Sequence, residues 1–167
     1  MESGYTPSDW VSLCNAEIGA AAALAGLVFV GVSINLERIM RYALLPDRAL
    51  EAVLLFGTIL LASTFVLVPG QSVVALGIEL FGLGVVASAA VTAINVRALR
   101  SPGAAGYKPT LLRFTVLSEL AVLSFALAGL TLALHAGGGL YWLVPGTALA
   151  LLAGVASAWV LLVEIMR

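Results

Sequence analysis

Two glutamates, Glu17 and Glu79, carry the strongest chemical signal in this sequence, because each falls inside a long apolar run that holds no lysine or arginine near it. An isolated ionised carboxylate at membrane depth costs several kcal/mol or more. Protonation, a water-filled vestibule or a bound cation would each relieve that cost. Protonation with a hydrogen bond to a neighbouring carbonyl is the plain structural reading. A cation site or acidic ring, formed by Glu17 and Glu79 and repeated around an oligomer, is the functional one. In the run that holds Glu79, the residues Ser88, Thr92 and Asn95 would supply neutral oxygens deeper in. At 100° per residue these three share a narrow face with Gly77 and Gly84, while Glu79, Ala90, Ala93 and Arg97 fall opposite. Small or polar residues on two sides predict that Gln71 to Arg97 is the central helix, contacted by protein on both faces.

Other constellations are thinner. Cys14, Glu17, Glu79 and His135 fall toward the same end of their runs and are chemically suited to zinc or another divalent transition metal. Only Cys14 and Glu17 have a helical spacing that brings them together. A single histidine beside a glycine loop reads first as an interfacial residue. Toward the other end every carboxylate has an arginine candidate: Glu119 with Arg38 or Arg97, and Glu164 with Arg113, all read as structural ion pairs. The chain contains no GxSxG, HExxH, CxxC, P-loop or dinucleotide fingerprint, and its one histidine excludes intrachain bis-His haem ligation. These observations point away from an enzyme and from a bound cofactor. Its few arginines suit anionic lipid heads better than nucleic acid.

The elements that must position these residues follow from composition. With 62% hydrophobic and 10% charged residues in 167, and a mean hydropathy of +1.11, a water-soluble domain could not cover its core. The apolar runs are continuous, Gly/Ala-rich and longer than core helices need, which predicts an all-α integral membrane protein and disfavours a β-barrel. Five spans in a single transmembrane domain are expected, at about 12–36, 47–68, 71–97, 111–134 and 145–166. All eight Lys and Arg residues lie in or beside the first-to-second connection, the third-to-fourth connection or the C-terminus. The positive-inside rule then places the N-terminus outside and the C-terminus in the cytoplasm. The N-terminal MESGYTPSDW has no basic residue before the apolar run, unlike a cleaved signal peptide. Cys14 is the single cysteine, so no intrachain disulfide forms, and a buried thiol is the simplest reading.

Local signals refine the spans. Asp9 or Ser8 is suited to capping a helix that begins near Trp10, and Cys14, Glu17, Ala21, Val28 and Asn35 share a face of it. The run GAAAALAG would let another backbone approach closely, and ERIMRY reads as a helical extension beyond the membrane. The second span carries only Thr58, Ser63 and Thr64 as interior hydroxyl residues, so lipid contact is expected for it. Pro69-Gly70 predicts a tight turn, and Pro145 suits the first turn of the last span. There Gly146, Ala150, Gly154 and Ala158 recur every four residues, a seam for packing within the chain or between subunits. Glu17 with SINLER and Glu79 with AINVR form a faint internal echo.

The run GAAAALAGLVFVGVSINLERI, followed by LPDRALEA and LVPGQ, resembles a group of small, uncharacterised bacterial polytopic membrane proteins. The resemblance covers about the first half of the chain. It implies a bacterial cytoplasmic membrane and carries no activity and no functional residues. Two functions of different class are therefore expected: a homo-oligomeric cation or proton channel or transporter built on the outer glutamates, or a non-catalytic scaffold or regulatory subunit that binds another membrane protein through its Gly/Ala seams.

Overall fold

A computed structural model describes residues 2–41, 44–101 and 108–166, with side chains for 3–41, 44–101 and 111–160. The regular structure of the described residues is all helical, with six α-helices: α1 Val11–Ile34, α2 Leu36–Arg41, α3 Leu45–Val66, α4 Val73–Arg100, α5 Lys108–Ala133 and α6 Leu143–Met166. Five of the helical segments are long and apolar enough to cross a membrane: Pro7–Ile34, Leu45–Val66, Val73–Arg100, Leu111–Ala133 and Gly139–Val160. The chain is a multi-pass integral membrane protein, as its composition requires.

Helices α3, α4, α5 and α6 form a four-helix ring in which each packs on the next, and α1 lies outside it against α3. This arrangement corrects two expectations. Over their most apolar stretches, 56% of the positions in α3 are buried, against 28% in α4 and 17% in α1. The second span, expected to face lipid, is the central helix, and the span from Gln71 to Arg97 lines one flank. Apolarity alone does not separate the two cases, because in a bilayer a lipid-facing and a core-facing leucine are equally favourable. Phe56, Ile59 and Leu55 of α3 are fully buried beside Leu80, Phe125 and Ala153 in one core that runs through the bundle.

The small face of α4 is a helix seam. A methyl group on Gly77 would lie 2.7 Å from the backbone nitrogen of Ala133, and one on Gly84 would run into the backbone of Ala126. Gly129 of α5 meets Phe81 in the same way, so the two helices touch backbone to backbone. The predicted continuation of the first helix breaks at Asn35, whose side-chain amide donates to the Gly31 carbonyl at 3.2 Å while its backbone leaves helical geometry. The short α2 then turns Ile39 onto Leu45 and Ala49.

At the opposite end the N-terminal residues close over the α5–α6 connection. Trp10 Nε1 donates to the Ser3 carbonyl at 2.7 Å, the Gly138 amide donates to the Tyr5 hydroxyl at 3.1 Å, and Trp10 meets Tyr141 edge-on at 5.1 Å. Neither Ser8 nor Asp9 caps α1; a 3-10 turn, Pro7–Trp10, leads straight into it.

Candidate functional site

Polar side chains inside the bundle gather in three places. The first is a closed network at the arginine-bearing end of α3. Arg48 and Glu51, one turn apart, are 5% and 0% exposed and pair at 2.5 Å. The other Glu51 oxygen accepts from Ser118 of α5 at 2.7 Å and from Asn95 of α4 at 3.2 Å. Asn95 also donates to the Val91 carbonyl. The guanidinium lies 5.1 Å from the centre of the Phe114 ring, which supplies cation–π attraction, and its Nη2 has no hydrogen-bond partner among the described residues. One charge pair thus links three helices, with both oxygens of its acid engaged. At the rim beside it, Asp47 accepts a hydrogen bond from Arg97, whose side chain is largely exposed.

The second place is the α4–α5 flank. Ser88 Oγ donates to Oε2 of Glu119 at 2.8 Å, and Thr92 Oγ1 donates to Oε1 at 2.6 Å. Glu119 is half-buried, and Thr92 is exposed. The third place is the core contact between α1 and α3. Glu17, 8% exposed, accepts from Ser63 at 2.7 Å, one turn from the fully buried Cys14. The hydroxyl of Thr147 stands near the same carboxyl without reaching hydrogen-bond geometry.

These positions redistribute the candidates read from the sequence. Glu17 and Glu79 do not share a lining: Glu17 is buried against α3, and Glu79 is exposed on α4, where Gln71 Nε2 donates to it at 2.6 Å. Ser88 and Thr92 serve Glu119, and Asn95 serves Glu51, so the predicted polar face of α4 is real but turned toward its own chain. The expected pairing of Glu119 with Arg38 or Arg97 gives way to hydroxyl donors, because Arg97 is held by Asp47 and Arg38 is exposed. Arg113 is also exposed, and its expected partner Glu164 lies outside the described side chains. No three His, Cys, Asp or Glu residues converge on a metal-binding geometry among the described residues. Cys14 and Glu17 lie one turn apart on α1, Glu79 is exposed on α4, and His135 stacks on Tyr5 with centroids 5.8 Å apart, so the four form no metal cluster.

Sequence reasoning missed Arg48, Glu51 and Ser118. The available signal was an acid and a base three residues apart at the start of a span, with Asn95 as the one amide deep in another. Comparison with protein-family models, with curated proteins and with solved structures finds no match to this chain.

Proposed function

We propose that this protein is a non-catalytic membrane subunit that assembles with another transmembrane chain through the outer face of α1. The observation that carries this reading is a stripe on that face. Ser12, Gly19, Gly26 and Ser33 are spaced seven apart, and all four are exposed. They lie on the opposite side of the helix from Cys14, Glu17, Ala21 and Val28, which pack inward. Nothing lies within 4 Å of the missing side chain at Gly19 or Gly26, whereas Gly77, Gly84 and Gly129 are each pressed against a backbone. A helix that faces only lipid gains nothing from glycine, which loses backbone entropy and leaves no side chain to pack. A seven-residue period of small residues suits a second helix crossing at a shallow left-handed angle.

The conduction reading draws less support from this geometry. Its two outer glutamates occupy separate environments, one of them sealed in the core. The arginine-bearing end of the bundle is the cytoplasmic one in this account, and the membrane is a bacterial cytoplasmic membrane. Purification from native membranes in a mild detergent tests the assembly. A stoichiometric partner, lost on Gly19→Leu/Gly26→Leu while the variant keeps its own melting temperature, supports it. A monomer in both forms overturns it.

A further inference from the structure

Glu119 lies eight residues past Leu111, about 12 Å along the membrane-crossing part of α5. It is half-buried, and both of its carboxylate oxygens are engaged by hydroxyls of α4. Among the described residues no cation offsets it. Of the two ion pairs there, one commits Arg48 to Glu51 and the other commits Arg97 to Asp47. Two neutral hydroxyls do not repay the desolvation of a full negative charge at such depth. The group is therefore suited to taking up a positive counterpart.

We propose that Glu119, with Ser88 and Thr92, is an exchangeable proton-binding site on the membrane-facing flank of α4 and α5. The O···O separations of 2.8 and 2.6 Å are closed hydrogen bonds. A hard metal ion needs several oxygens at about 2.0–2.6 Å from its own centre. Placing one between these groups would require them to move apart, and no second carboxylate takes part. A proton fits without rearrangement. On arrival it bonds to one carboxylate oxygen, which becomes a donor, and the facing hydroxyl turns to accept it. Serine and threonine hydroxyls do both, and in a helix each can redirect its own hydrogen to the carbonyl four residues earlier. The reverse rotation stabilises the anion when the proton leaves.

The charged surroundings are sparse on every packed element. On α4 the charged residues are Glu79, far along the helix, Arg97, held by Asp47, and Arg100 at the terminus. On α3 the nearest are Arg48 and Glu51, which neutralise each other; Glu51 reaches α5 through Ser118, the residue before Glu119. The described side chains of α6 include no titratable group. On α5 itself Arg113 is exposed and points to no acid among the described residues. The site is separate from the outer face of α1, so it stands or falls independently of the assembly proposed above.

Dicyclohexylcarbodiimide tests it, because this apolar reagent adds the O–H of a protonated carboxyl across one C=N bond to give an O-acylisourea, whose acyl group then migrates from oxygen to nitrogen to leave a stable N-acylurea. The full-length protein in liposomes is labelled over a pH series and mapped by peptide mass. Labelling at Glu119 that depends on pH, and whose pH profile changes in Ser88→Ala/Thr92→Val, supports the site. Protection by Na⁺ at constant pH would overturn the proton assignment in favour of a metal cation. An unlabelled Glu119, or labelling that ignores both pH and the loss of the hydroxyls, would overturn the site itself. The wild-type profile decides between these outcomes if the double variant does not fold.

Discussion

The hydroxyl of Ser118 lies 2.7 Å from Oε1 of Glu51, across sixty-seven positions of sequence. With Asn95 and Arg48 this contact ties α3, α4 and α5 together around a fully buried carboxylate. Apolar side chains confer little preference for one helix neighbour over another in lipid, so a polar contact that closes in a single arrangement fixes which helices meet and in what register.

Breaking this pair on one side leaves a buried charge alone. Glu51→Leu is expected to destabilise the bundle by about 3–5 kcal/mol, because Arg48 loses its counter-charge. The double variant Arg48→Met/Glu51→Leu recovers most of that loss. Denaturation in a mild detergent across the double-mutant cycle measures the coupling; two additive single effects would contradict it.

The α4–α5 seam and the α1 stripe respond in opposite ways to added bulk. Gly84→Leu forces the two backbones apart and lowers the melting temperature sharply. Gly19→Leu enters open space on α1 and leaves the melting temperature of the isolated chain unchanged. Thermal unfolding of the two variants side by side checks the contrast.

Cys14 is fully buried on the face of α1 that meets the core. Its thiol is expected to resist a small membrane-permeant maleimide in the folded protein and to react fully once the bundle is unfolded. Rapid labelling in the native state would place α1 away from α3.

Much of the architecture is legible in the sequence, and the exceptions have a common cause. Five spans follow from run length and charge distribution, since backbone hydrogen bonds must close within each crossing segment. The narrow face holding Gly77, Gly84, Ser88, Thr92 and Asn95 is visible from helical periodicity, and it is indeed the packed side of α4 for all but Thr92. Its partner is not visible, because periodicity gives direction without identity. Hence α3, the plainest span by composition, proves to be the most buried. Similarly, Glu51 near a helix start reads as a favourable first-turn charge, and only the fold brings Asn95 and Ser118 to it. Glu119 has arginines within plausible reach in sequence, yet its donors are Ser88 and Thr92, residues that periodicity alone suits equally to a pore lining.

Cross-linking from the outer face of α1 in native membranes measures the central proposal most directly. A photoreactive residue replaces Ala23 or Gly26 on the exposed face, and a control replaces Leu120, exposed on α5. The proposed assembly predicts one discrete adduct from the α1 positions, its mass identifying a different membrane protein, and none from Leu120. Lipid adducts alone at all three positions would contradict it.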